Sequence, residues 1–315
     1  MPAKLRSEHI YYGIAALVVL APLVFFPSLI SLYRLPKITF INLFVTVLLW
    51  LWLFLLLQER EEKVMFPLAI PLTFYLGLSA LSLVNAINPF EGIFALFHKV
   101  TYIFLFWLVV NQIGTMKKIK NILFCSTFSA YVVSLIGIYQ VFGGEIPGLV
   151  NLASPGSTFG NKNMAAQFIL LTLPFPYLFL LSTSDRQKEI LFGIAAAVVS
   201  TYLLYTGTRA AWAGAIISSL TLLMLFRLKL SKAEFEKLKG AVARKKLSLL
   251  GIMIFMLAMN SIPPYVVRGW AVAGAASPVS RFATIAEIDR DTSFLNRLAM
   301  SANTFEMFKD HPLLG

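Results

Sequence analysis

Residues 38–57 read ITFINLFVTVLLWLWLFLLL, 20 positions without a charge. About 20 apolar residues carry a helix across the ~30 Å hydrocarbon core of a bilayer. Reading outward for runs of the same character gives nine in all: 10–32, 38–57, 66–84, 93–112, 119–142, 164–183, 190–205, 210–226 and 247–262. The expected fold is an all-α polytopic membrane protein with about nine transmembrane helices. Pro22 and Pro27 fall in the first run and Pro174 and Pro176 in the sixth. Membrane helices tolerate prolines where neighbours satisfy the freed backbone. The seventh and ninth runs, 16 residues each, are short enough to thin the bilayer locally.

Composition excludes the soluble classes. Of 315 residues, 58% are hydrophobic and 13% charged, with a mean hydropathy of +0.77. Soluble domains carry about twice that share of charge. The 27 Phe, 11 Tyr and 5 Trp exclude intrinsic disorder. A single cysteine, Cys125, rules out an intrachain disulfide. His9, His98 and His311 are too scattered to suggest a metal site. The first apolar run outlasts the hydrophobic stretch of a signal peptide, so it reads as a retained span.

The net charge of +12 is mostly topological. With a cytoplasmic N-terminus, 17 of the 27 Lys and Arg fall on the inner side, eight of them between Arg227 and Lys246. That asymmetry follows the positive-inside rule. No nucleic-acid footprint is left over, and the C-terminal segment is expected outside. Ser231–Lys246 has two readings, a cytoplasmic anchor between two spans or a surface helix for membrane or partner.

No Asp or Glu lies inside any of the nine runs, whereas ion-coupled transporters place carboxylates or ion pairs at depth. His98-Lys99, in the fourth run, is either a snorkelling lysine beside a histidine or a cation facing an anionic ligand.

Three polar interruptions fall on the expected outer face. Asn151–Asn163, NLASPGSTFGNKN, is a turn-rich loop in which Asn161 or Asn163 can cap a helix starting near Met164. Lys162 stands beside that helix N-terminus, where an anion is favoured. Tyr205–Trp212, YTGTRAAW, joins two runs through a turn of about four residues, with Arg209 on the side the charge bias disfavours. Its guanidinium is suited either to phosphate or to lipid headgroups. The tail from Pro263 carries Arg268, Arg281, Arg290, Arg297 and Lys309, and Phe294, Leu298, Phe305 and Phe308 recur near helical spacing. An amphipathic helix on the outer surface is expected there, capped by Thr292 or Ser293 and ended by Pro312.

Together, STFGNKNMAAQF (Ser157–Phe168), LYTGTRAAWAG (Leu204–Gly214) and the stretch from Arg297 to HPLLG (His311–Gly315) resemble the O-antigen ligase and O-antigen polymerase-like superfamily of bacterial membrane glycosyltransferases. Members show a Gly-Asn-x-Asn turn before a span, a Thr-x-[Ser/Thr]-Arg turn into a span, and an outer amphipathic helix running into Pro-Leu-Leu-Gly. The resemblance implies a GT-C-like bundle in the bacterial inner membrane with a large periplasmic loop. It implies inverting, metal-independent transfer of a glycan from undecaprenyl diphosphate to lipid A core, another glycan or a protein hydroxyl, without a cofactor. Through it the chain is expected to serve lipopolysaccharide or polysaccharide biosynthesis in the cell envelope. Arg209, Arg297 and Arg281, in that order, are the candidates for meeting the diphosphate's charge. Asn161, Lys162, Asn163 and Thr208 are the candidates for orienting the substrate. Residues 1–262 are then the membrane bundle and 263–315 the start of the extracytoplasmic loop. Family members continue past Pro-Leu-Leu-Gly to a His-Asn motif that activates the acceptor, and His311 is not that histidine. The chain is therefore expected to be the N-terminal part of a longer protein, lacking the acid/base group. Two readings from other classes stay open: a bicarbonate-type anion transporter, and a non-catalytic scaffold whose cations bind membrane lipid.

Overall fold

A computed structural model of the chain describes residues 7–28, 31–58, 64–149, 155–262, 292–310 and 312. Among them there are helices and no β-strand. The helices are α1 (Ser7–Leu20), α2 (Arg34–Gln58), α3 (Ala69–Leu81), α4 (Pro89–Gln112), α5 (Met116–Val141) and α6 (Lys162–Thr172). They continue with α7 (Pro174–Ser182), α8 (Arg186–Tyr205), α9 (Arg209–Lys229), α10 (Lys232–Arg244), α11 (Lys246–Ser261) and α12 (Thr292–Asp310).

Among the described residues, six segments are long and apolar enough to cross a membrane: α2, α4, α5, α6 with α7 (Lys162–Ser182), α8 and α9. The protein is a polytopic helical membrane protein, and of the nine expected spans six reach that length among the described residues. The other three runs form shorter apolar helices. The first run breaks at Leu20, after 14 helical residues. At ~1.5 Å per residue that is about 21 Å. Ala21–Leu23 form a turn containing Pro22, and no helix resumes before Pro27. The third run divides into the 13-residue α3 and a 3₁₀ turn at Ser82–Asn85. The ninth is α11, 16 residues long. Pro174 and Pro176 do not end the sixth run. Leu173 stays right-handed helical between α6 and α7, and its N–H donates to Ile169.

The chain divides into two compact units: residues 1–17, 38–119 and 282–315, and residues 18–37 and 120–281. In the first, Ile10, Tyr11, Ile14 and Leu17 of α1 are buried, as are Val45, Leu48, Trp52 and Leu55 of α2. Both sets follow the 3–4-residue stripe of a packed helix face. Gly13 admits Leu48 where a Cβ would lie 2.4 Å from its methyl. Asn88 caps α4, which has Pro89 at its first turn. Asn111 ties α4 back to the start of α3, accepting from the Met65 N–H and donating to the Met65 carbonyl, both at 2.8 Å. The pair His98-Lys99 divides its contacts. His98 Nδ1 lies 2.8 Å from Asn42 Nδ2 on α2, and Lys99 donates to Ser79 on α3 at 2.9 Å. All described side chains of α12 are exposed.

The second unit is organised around α8, 67% of whose apolar window is buried, against 11% for α9. Small side chains make this possible: Ala195, Ala196, Ala197 and Ser200 let neighbouring backbones approach. One core cluster joins Ala130 and Val133 of α5, Ala165, Ala166 and Ile169 of α6, Val199, Tyr202 and Leu203 of α8, and Ala211 and Trp212 of α9. A second joins Leu180, Phe192, Ala196, Ala197 and Ile252, seating α7 and α11 against α8.

Candidate functional site

One end of the second unit is built from two short turns. The first runs from Pro155 to Asn161. Gly160 has φ +66, and Ser157 has φ +47, a region few residues other than glycine occupy. Buried hydrogen bonds hold it there. The Ser157 N–H donates to Gln140 Oε1 at 2.7 Å and its hydroxyl to the Val133 carbonyl at 2.6 Å. Thr158 donates to the Pro22 carbonyl at 2.7 Å, and the fully buried Tyr202 hydroxyl donates to the Pro155 carbonyl at 2.8 Å. Space is equally restricted. A Cβ on Gly160 would meet the Tyr33 ring at 2.1 Å, and one on Gly156 would meet the backbone of Gly160 at 2.4 Å. Burial pushes the Tyr33 phenol above its ordinary pKa. Local strain over-determined by its surroundings is typical of sites where position matters.

The second turn, Thr206–Thr208, joins α8 to α9. Gly207 supplies φ +60. Thr206 donates to the Leu203 carbonyl at 2.7 Å, and the Trp212 indole donates to the same carbonyl at 3.1 Å. Tyr205 donates to the Met259 carbonyl, fastening the end of α8 to the end of α11.

The turns meet through their caps. Asn161 caps α6 by accepting from the Asn163 N–H at 2.8 Å. Thr208 is the N-cap of α9, but its hydroxyl turns to Asn163 Oδ1 at 3.1 Å instead of closing on its own helix. Asn161, Asn163 and Thr208 thus join the N-termini of α6 and α9. Lys162 and Arg209 are the first residues of those helices, and neither first turn contains an acid. A helix N-terminus carries about half a positive charge, so two such ends with two cations make a focus for anions.

Lys37 adds a third cation here that the sequence showed only as a topological count. Its ammonium donates to the Pro22 carbonyl at 2.9 Å and to the Val24 carbonyl, and lies 4.9 Å from the centre of the Phe159 ring. The single hint was that Arg34 and Lys37, like Arg209, oppose the charge bias.

Four of the sequence candidates therefore stand together with Arg209. Arg297 belongs to α12 in the other unit and is exposed, and Arg281 lies outside the described residues. Among the described residues, no three His, Cys, Asp or Glu side chains gather to hold a metal ion.

Cations at the opposite end of α8 have another fate. Glu189 stands one residue before the seventh apolar run and is buried. It accepts from Lys245 at 2.6 Å, from Arg186 at 3.2 Å and from the Ser248 hydroxyl. The segment Ser231–Lys246 forms α10, opened by a reciprocal capping box between Ser231 and Glu234, and its last turn leads into the buried ion pair.

No curated protein and no solved structure matches the chain. Residues 194–315 match a family model described as O-antigen ligase, a stretch that opens inside α8 and includes the Thr206–Thr208 turn, α9 and α12. Over residues 194–315 the chain is therefore similar to the O-antigen ligase family.

Proposed function

We propose that the protein moves a glycan from an undecaprenyl-diphosphate carrier onto an acceptor at the extracytoplasmic face of the bacterial inner membrane. In this reading the N-terminus is cytoplasmic, the three shorter apolar helices also enter the membrane, and the bundle is GT-C-like. Residues 1–262 are its membrane part, and 263–315 are extracytoplasmic. The observation that carries the reading is the Thr208–Asn163 bond, which joins two helix N-termini opened by Lys162 and Arg209.

The acceptor oxygen bonds to the anomeric carbon from the side opposite the carrier, inverting it. The carbon–oxygen bond to the diphosphate breaks, and the lipid diphosphate leaves with the electron pair. Arg209 grips the departing phosphates with its planar fork, Lys162 adds a point charge, and the backbone N–H groups of both first turns complete the cradle. Fixed cations carry out this stabilisation without a metal or cofactor. Asn161, Asn163 and Thr208 orient the donor, and Arg297 and Arg281 are the further candidates for meeting a diphosphate's charge. The acceptor proton passes to a base outside the cluster of Asn161, Lys162, Asn163, Thr208 and Arg209. The acceptor is lipid A core, another glycan or a protein hydroxyl, with membrane lipids around the site and no nucleic acid. The match to ligases favours this reading over anion transport.

Arg209→Ala is expected to lower transfer from a labelled polyprenyl-diphosphate glycan in native membranes by about 10²–10³-fold. Arg209→Lys should restore only a minor part, because an ammonium cannot make the bidentate contact. Full transfer by Arg209→Lys would remove the diphosphate clamp from the reading.

A further inference from the structure

The first unit holds an amphiphilic feature of its own, independent of the function proposed above. Where α3 and α4 run antiparallel, a groove of about 340 Å³ lies open along one side. Leu68, Leu72 and Tyr75 form one wall, and Tyr102, Ile103 and Phe106 the other, with Lys99 at one end. The spacings 68, 72, 75 and 99, 102–103, 106 are those of two facing helical stripes. From Lys99 to Phe106 the groove extends about 10 Å along α4.

Lys99 lies about 15 Å along α4 from Pro89, at the depth of a membrane span, where an ionisable residue marks a functional site by default. Its ammonium donates to the Ser79 hydroxyl at 2.9 Å and lies 5.0 Å from the centre of the Tyr75 ring. Among the described residues no carboxylate pairs with it. An ammonium carries three donors and no acceptor, so a hydroxyl and a ring face leave donor capacity over. Both contacts are on the α3 side, and apart from the hydroxyls of Tyr75 and Tyr102 the side chains lining the rest of the groove are apolar.

We infer that this groove is a binding site for an anionic bilayer phospholipid, its phosphodiester on Lys99 and Ser79 and one acyl chain along Leu72, Ile103 and Phe106. A cation at one end of an apolar trough matches the headgroup-to-tail order of such a lipid. The charge decides between occupants: one ammonium balances the single negative charge of a phosphodiester, whereas a polyprenyl diphosphate calls for the several cations gathered in the other unit.

The test is native mass spectrometry of the whole chain released from nanodiscs containing equal phosphatidylglycerol and phosphatidylethanolamine. The wild type should retain phosphatidylglycerol in preference, at one molecule per chain. Lys99→Gln should lower that preference about tenfold, as expected for a lost charge-assisted hydrogen bond. Leu72→Trp, which fills the trough and keeps the cation, should lower occupancy too, and Lys99→Arg should preserve it. The Arg variant separates charge from folding, because a merely structural lysine would not be rescued in lipid preference. Unchanged retention in both Lys99→Gln and Leu72→Trp would overturn the site. So would displacement of phosphatidylglycerol by polyprenyl phosphate at equal concentration.

Discussion

At the start of α8, Glu189 takes Lys245 at 2.6 Å and Arg186 at 3.2 Å, so the cations there face a buried acid. Helix α8 ends at Tyr205, sixteen residues on and about 24 Å along its axis, and beyond it Lys162 and Arg209 open two helices whose first turns contain no acid. The same helix thus neutralises positive charge at one end and concentrates it at the other. At the start of α8 the charge is matched by a buried carboxylate. Charge placed at helix N-termini, where the dipole already disfavours it, is raised in potential for a ligand.

Breaking the concentrating end without touching a charge gives the largest effect after the loss of Arg209 itself. In Gly156→Ala the new methyl meets backbone atoms, the Gly160 carbonyl carbon at 2.4 Å and the Asn161 nitrogen at 2.6 Å, so the turn itself must move. Asn161 then leaves its capping geometry and carries Lys162 and Asn163 with it. Glycan transfer is expected to fall about a hundredfold, the usual consequence of misplacing a site by an ångström, while membrane insertion is retained. Unaltered transfer by Gly156→Ala would mean that the turn's position does not matter to the reaction.

Breaking the neutralising end should separate stability from transfer. Glu189→Gln leaves Lys245, only 9% exposed, beside an amide in place of a carboxylate, and an uncompensated buried charge is strongly destabilising. The thermal midpoint in detergent should drop by several degrees, and transfer per folded molecule should stay near wild type. The double variant Glu189→Leu with Lys245→Met should recover much of the midpoint, because apolar pairs of similar volume often replace buried ion pairs without loss. A fall in transfer that matched the Arg209 variants would erase the distinction between the two ends.

The legible part of this architecture follows a physical rule. Apolar runs exposed the membrane helices, because a spanning segment must hide its backbone from lipid in one continuous stretch. Helix ends were less legible. Pro22 stopped the first run at Leu20, whereas Pro174 and Pro176 left the sixth continuous, and the two outcomes depend on neighbours that a linear reading does not contain. At the candidate site, Asn161 and Asn163 were legible because a cap is a local pattern. The Thr208–Asn163 bond joins residues 45 positions apart, and Lys37 arrives through contacts with the Pro22 turn and Phe159. Glu189 stood just outside an apolar run and read as a boundary marker. Its burial depends on Lys245, 56 residues later.

The smallest effect is expected at α10, on the way to the neutralising end. Glu234 is exposed, and its hydrogen bonds from the Ser231 hydroxyl and N–H hold its carboxyl below the usual carboxylate range. A carboxyl whose pKa is lower folded than unfolded stabilises the fold above its unfolded pKa and loses that contribution as pH falls through its folded value. Protonation therefore opens the capping box from one side, and the Ser231 hydroxyl can still accept from the Glu234 N–H. Hydrogen exchange should accelerate at the first-turn amides of α10 as pH is lowered below the carboxylate range, after correction for intrinsic rates. Glu234→Gln should show the faster exchange at neutral pH and lose the acid-dependent step. Because α8 and α11 are held by Glu189 and Lys245 rather than by this cap, neither the thermal midpoint nor glycan transfer at neutral pH should change measurably. A drop in either would couple α10 to the core more tightly than its exposed surface indicates.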